Sequence, residues 1–356
     1  MSEFLLENIL QAIAAQSAVN APSEEGDQYY KFLANVMAPY IPSLETVTDE
    51  EMVGDGYART LRNIRNYYWS MKPWTVSGLL NDHIAAILMN GWQGGAVSSS
   101  VLGGTAAKDI SAVQNVVNST PKLFSLYRHL GGERFINSTF APNNFTIAQE
   151  GEARPTFNFD LLSTGHHLDS DEIDDTDFNE GDINAAPDYD YFHGAATEIS
   201  ATDGVETYNW TADGELISLS VEGSNNVDIR RRPGDTFKTA GNFNSGAFAR
   251  KIRNGKLTGA VKLKVDLDSD LRTFKAMVLG RKLTGLSIVF NGFNKIGATI
   301  YDHEFAINVP KAGFQMIEGD TDQDFGALSL NIQPLRDNTT KGYYTNRTRT
   351  EKTIII

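Results

Sequence analysis

In the stretch Ala260–Leu267, Val261, Leu263, Val265 and Leu267 alternate with Lys262, Lys264 and Asp266. Successive side chains of a strand point to opposite faces, so this period of two commits the segment to a strand with one dry and one wet side. The same alternation recurs in Glu215–Val221, Leu286–Phe290, Glu304–Val309 and Ala327–Gln333, the last with Leu328, Leu330 and Ile332 on one face. In the first half it marks Asn66–Met71, Phe135–Phe140, Asn144–Ala148 and Thr156–Leu161, where Phe157, Phe159 and Leu161 alternate with Asn158 and Asp160. Strands wetted on one side are the mark of antiparallel sheet. The chain therefore reads as mainly β.

Helical spacing is rarer. Asn81 is placed to cap a helix whose apolar stripe is Ile84, Ile87 and Leu88, with Gly91 as its stop. Asp270 or Ser269 can cap a second, with Leu271, Phe274 and Val278 facing inward and Gly280 as the stop. Residues 3–16 read as an amphipathic helix or a strand-like arm, and residues 17–60 as turn-rich and irregular around Pro22, Pro39 and Pro42. The Gly/Ser-rich stretch 92–121 admits a helix at 109–117. Each half thus orders strand, turn, short capped helix and further strands, which points to an internal duplication. The expected units are 1–195 and 196–356.

Charge is segregated along the chain. Between Pro155 and Ile229 there is no Lys or Arg against eighteen Asp and Glu, while the other 27 acids face all 31 basic residues. A surface built from the acidic region repels phosphate, which argues against a protein that grips nucleic acid there. The densest part, 168–190, reads as a long exposed loop. Its Asp169, Asp171, Asp174, Asp175 and Asp177 are the candidate Ca²⁺ ligands, since clustered carboxylates suit a hard cation. The EF-hand spacing fails, because Ile173 stands fifth from Asp169 and Gly181 falls one place late from Asp175. The basic counterpart, Arg230, Arg231, Arg232, Arg250, Lys251 and Arg253, is the candidate self-assembly surface: opposite charges on one chain favour head-to-tail contacts between copies.

Catalytic signatures are not found. There is no P-loop and no nucleophile elbow, and His303-Glu304 opens a zincin-like motif that fails at Ile307. Cysteine is absent, so thiolate sites and disulfides are too. No apolar run approaches the ~18 residues of a membrane span, and the N-terminus lacks the basic start of a signal peptide, so the chain is expected to be made in the cytoplasm. Tyr67, Tyr68, Trp69 and Trp74 fit core or interface filling better than base stacking, given the little basic charge beside them.

Residues 203–334 resemble the major tail tube protein of long-tailed bacteriophages. The likeness runs through Glu215–Val221, the turn Asn225-Asn226-Val227, Gly255–Gly259 opening the next strand, the helix Asp270–Leu279, the strands around Lys282–Phe290, Phe305–Lys311 and the strand Gly326–Pro334. The region from Asn63 to Leu161 is similar to a diverged copy of the same module. The stretch 168–190 and the basic tail 335–356 have no place in it. What the resemblance implies is a β-sandwich or barrel module with a flanking helix, present twice, whose sheets join those of neighbouring copies in rings that stack into a tube for genome ejection. It implies a virion protein, not an enzyme, with no cofactor. Its partners would be itself, as a pseudo-sixfold trimer in preference to a hexamer, and the tape measure, terminator and distal tail proteins. DNA would be met only in transit. The alternative from another class is a β-sandwich adhesin or decoration module stabilised by calcium.

Overall fold

The computed structural model describes residues 10–22, 24–31, 43–53, 57–70, 73–102, 107–114, 120–130, 133–174, 176, 178–185, 189–211, 216–230, 236–240, 244–249, 251–266, 279–280, 282–322, 325–337, 339 and 343–351. The expected helix at 270–279 lies outside them except for Leu279.

Up to residue 195 the strands are β1 (Leu10–Gln16), β2 (Tyr30–Lys31), β3 (Ser43–Val53), β4 (Tyr57–Ser70), β5 (Trp74–Leu79), β6 (Gly94–Val101), β7 (Lys108–Gln114), β8 (Leu123–Leu130), β9 (Glu133–Glu150), β10 (Thr156–Ser163) and β11 (His167–Leu168). Beyond it come β12 (Glu198–Thr202), β13 (Thr207–Asn209), β14 (Leu216–Ser224), β15 (Asp228–Arg230), β16 (Thr236–Ala240), β17 (Asn244–Phe248) and β18 (Lys251–Arg253). The last are β19 (Thr258–Asp266), β20 (Lys282–Leu283), β21 (Gly285–Lys295), β22 (Asp302–Val309), β23 (Ala312–Asp322), β24 (Phe325–Pro334) and β25 (Thr345–Thr350). The protein is mainly β and sandwich-like, as the alternation predicts.

A twelve-stranded sheet follows the order β2-β1-β8-β9-β14-β19-β24-β23-β20, with β10, β5 and β11 attached through β9 and β10. A seven-stranded sheet runs β13-β12-β21-β22-β25-β7-β6, and a four-stranded one runs β16-β17-β4-β3. In each of these, the strands from before and after residue 195 are kept apart and meet at a single seam: β9 against β14, β25 against β7, and β17 against β4. The two halves are thus separate in strand order, yet the sheets run on across the junction.

The alternation builds the main core. Val261, Leu263 and Val265 of β19 and Leu328, Leu330 and Ile332 of β24 are buried in the same cluster as Ile288, Phe290, Phe305 and Ile307 of the seven-stranded sheet. Phe145, Ile147, Phe157 and Phe159 of the first half belong to it too. Each such side chain contributes about 2 kcal/mol by leaving water. At the β9–β14 seam the Trp92 ring packs edge-on against Phe145 (centroids 4.5 Å apart) and Tyr344 (5.8 Å). These rings lie over the paired glycines Gly223 and Gly259, where a Cβ would run into Phe145 and Trp92, or into Tyr344.

Between β5 and β6 lies the helix α1 (82–93), whose middle turn Ala85–Met89 is widened to π geometry. The Asn81 side chain accepts the Ile84 N–H at 2.8 Å and so caps it, as its position predicts. Ile84 and Ile87 are buried, as the stripe requires. Gly91 is not the stop. The helix continues to Gln93, and Gly91 is where the Phe124 ring comes too close for a Cβ.

Three other expectations are corrected. Residues 108–114 form strand β7, not a helix, because β25 and β6 flank them on both edges. The region 17–60 is not wholly irregular: β3 pairs with β4 in a long hairpin. Phe135–Phe140 and Asn144–Ala148 are one strand of 18 residues that changes partners at its middle. There Thr139 takes a left-handed φ of 60°. For a β-branched residue this costs on the order of 1–3 kcal/mol. Gln16 of β1 holds it, accepting the Thr139 N–H at 2.7 Å and donating to its hydroxyl at 2.8 Å.

The stretch 168–190 is not an exposed loop either. Ile173, Phe178 and Ile183 are buried in a satellite core with Tyr29, Tyr127 and Ile136. Asp171, Glu172, Asp174 and Asp182 remain exposed around them. Three well-spaced apolar residues suffice to dock the segment, and its acids prefer water.

Candidate assembly surface

Alternation leaves the outer face of the twelve-stranded sheet polar across six adjacent strands. From β5 to β24 it presents Thr75 and Ser77; Thr156, Asn158 and Asp160; Asn144, Thr146 and Glu150; Ser218, Ser220 and Glu222; Lys262 and Lys264; and Ser329 and Asn331. Cross-strand hydrogen bonds tie these side chains together. The Thr75 hydroxyl donates to Asp160 Oδ1 at 2.7 Å, Asn144 Nδ2 to Asp160 Oδ2 at 3.2 Å, and the Ser224 hydroxyl to Asn144 Oδ1 at 2.6 Å. Lys262 Nζ donates to Glu222 Oε1 at 2.7 Å, so its charge is neutralised locally.

The face is hollowed where β9, β14, β19 and β24 run side by side. The open groove there has a volume of about 460 Å³ and is lined on its polar side by Glu150, Ser218, Ser220, Lys262, Lys264, Ser329 and Asn331. Both halves of the chain contribute to it, because it straddles the β9–β14 seam. Among the described residues no aromatic ring lines it.

Among the described residues, the candidate Ca²⁺ ligands Asp169, Asp171 and Asp174 do not come together as a cage. Asp169 N–H donates to Glu172 at 3.2 Å, and Asp174 Oδ1 accepts the Thr176 hydroxyl at 2.7 Å and its N–H at 2.8 Å. Those two hydrogen bonds, the side-chain one first, hold the exposed Asp174 carboxyl below its ordinary value. Asp171 is exposed, and Asp175 and Asp177 lie outside the described residues. Among the described residues no group of three or more His, Asp or Glu is disposed to hold a metal.

Of the candidate basic surface, Arg231, Arg232 and Arg250 lie outside the described residues. Arg230 and Arg253 converge on Asp228, with Nε–Oδ2 distances of 2.6 and 3.5 Å, while Lys251 is exposed beside them. The Arg230 hydrogen bond is the main reason that the Asp228 carboxyl sits below its usual range. The β15–β18 pair that carries these residues is anchored by Ile252 and Ile229 against Leu123 and Ala141 of the first half. Part of the positive charge is therefore satisfied within the chain, where sequence reading leaves it all for a partner.

Sequence reading also leaves the tail 335–356 without a place. Its β25 lies in the middle of the seven-stranded sheet, between β22 and β7, and makes the seam there. Asn346, Thr348 and Thr350 face inward, and Arg347 and Arg349 face out. Arg347 grips Asp109 with two donors, Nε to Oδ1 at 2.9 Å and Nη2 to Oδ2 at 2.6 Å, while Arg349 Nη1 donates to Glu304 Oε2 at 2.7 Å. Burial works against ionising Asp109, but the hydrogen bonds and charges of Arg347 and then Arg349 outweigh it and lower its pKa. The period-two run Thr-Asn-Arg-Thr-Arg-Thr is the signal that marks this strand in the sequence.

No protein-family model matches the chain, and a search of curated proteins returns no match. Among the described residues no helix is long and apolar enough to cross a membrane.

Proposed function

We propose that this chain is a structural subunit that polymerises into the tail tube of a long-tailed bacteriophage, doing no chemistry of its own. The observation that carries this reading is the hollowed, polar outer face of the twelve-stranded sheet, continuous across both halves. The wall of a conduit for DNA needs such a surface: hydrated, and without an excess of cations. On this face Glu150, Asp160 and Glu222 stand against Lys262 and Lys264, and Lys262 is already paired. Duplex passing within the ~8 Å screening distance of physiological salt would be held by few contacts.

The division of the three larger sheets, each at one seam, supports two tandem modules, so three copies would close a pseudo-sixfold ring. Exposed acids around the 168–190 segment and the exposed Lys251 are the complementary charges available between copies. In this reading the protein ends up in the virion, with other tail proteins capping the tube.

The test is negative-stain electron microscopy of the purified chain over rising concentration, paired with its mass in solution. Rings of three- or sixfold outline, or tubes of constant bore, are expected. A chain that stays monomeric at every concentration, and also fails to join tail tubes when co-expressed with a complete set of tail proteins, overturns the proposal.

A further inference from the structure

The chain passes from one half to the other through residues 189–193, and this connection is fastened on both sides. Phe192 N–H donates to Leu80 O at 3.2 Å on the first-half side, and His193 N–H to Asn291 O at 3.2 Å on the second-half side. Between these points lies a buried cluster of titratable groups from three elements. Asp82 opens α1, Asp190 belongs to the connection, and His303 sits on the inward face of β22; they are 0%, 7% and 3% exposed.

Asp82 Oδ1 accepts the Asp190 N–H at 2.9 Å, and its Oδ2 lies 2.7 Å from His303 Nδ1. The Asp190 carboxylate accepts the Asn294 N–H at 3.0 Å and its side-chain Nδ2 at 3.2 Å. Gly292 leaves it room, since a Cβ there would collide with the carboxylate.

Two carboxylates thus share this site, with Glu351 adding its charge from beyond β25. Buried carboxylates are costly without a counter-charge. His83, also buried at 1% exposure, does not supply it: burial pushes its imidazole down to about 4, so it stays neutral at ordinary pH. His303 is the group left to do so.

We propose that the Asp82–His303–Asp190 cluster is a proton-loaded lock on the connection between the two halves, closed while His303 is protonated and loosened when it loses its proton. Burial opposes the charge on His303, but the hydrogen bond and charge of Asp82, then the charges of Asp190 and Glu351, outweigh it and raise its pKa. A raised histidine stabilises the fold fully below its unfolded value of about 6.5, and the contribution is lost as pH rises through the higher folded value. This inference does not depend on the tube reading.

The experiment is urea unfolding of the full chain between about pH 6 and 9, spanning the ordinary histidine range. It compares the wild type with His303→Gln. The folding constant of the wild type is expected to fall across this window, by about tenfold for each unit that the folded pKa of His303 exceeds the unfolded one. The His303→Gln chain is expected to lack that fall; equal slopes in the two overturn the lock. Should His303→Gln not fold, imidazole NMR of the wild type and of Asp190→Asn decides. A histidine titrating above the ordinary value, and shifted down by Asp190→Asn, is expected; its absence refutes the proposal.

Discussion

At the scale of single residues, the seam between the halves depends on what is missing from Gly223 and Gly259. These two face each other across β14 and β19 and make the floor on which Trp92, Phe145 and Tyr344 pack. Gly223→Ala is therefore expected to destabilise the chain by about 2 kcal/mol or more through overpacking. Denaturant unfolding monitored by tryptophan fluorescence reads the change directly. A loss within a few tenths of a kcal/mol would mean that the rings withdraw without cost. Asn81 was legible in the sequence because a cap needs only a polar side chain before a helical stripe. The role of Gly91 was not, since the ring that excludes a Cβ comes from Phe124, 33 positions away by number.

At the scale of elements, the acidic segment changes its meaning. Its composition suggests a solvated loop, but Phe178 packs edge-on against Tyr29 at 5.4 Å and lies 4.4 Å from Tyr127. Phe178→Ala is expected to cost about 3 kcal/mol, and deletion of 169–182 to unfold the docked β1–β2 region with it. Hydrogen exchange at β1 separates these outcomes from a merely local effect: unchanged protection at Leu10–Gln16 in the deletion variant would show that the segment is dispensable. The strands with period-two patterns were legible from β10 to β24, because each buries one face against the same core. Of the stretch 109–117, which reads as a possible helix, residues 109–114 were not. Their Gly/Ser-rich neighbourhood carries no clear period, and partners from opposite ends of the chain, β6 and β25, make them a strand.

At the scale of the whole molecule, the last strand fastens the first half to the second. The Arg347–Asp109 pair crosses that seam, and Asp109 is held below the ordinary carboxylate value. The sign follows from linkage: a lowered carboxyl stabilises above its unfolded pKa, and this stability is lost as pH falls through the folded value. Acid unfolding of Arg347→Gln is therefore expected to lose its Asp109-linked slope below about pH 4, measured against the wild type by circular dichroism. Identical acid profiles would show that the pair contributes nothing across the seam.

The sequence by itself determined the class of this protein and the inward side of its clearly alternating strands, such as β10, β14, β19 and β24, because alternation is a local property that each strand carries alone. It also determined the segregation of charge and the cap of α1. Only the tertiary structure decided that the two halves share their sheets, that β25 fills the middle of one, that the acidic segment is docked, and that Asp82, Asp190 and His303 meet. Each of these joins residues remote along the chain, and no local period records which distant strand or ring will lie alongside.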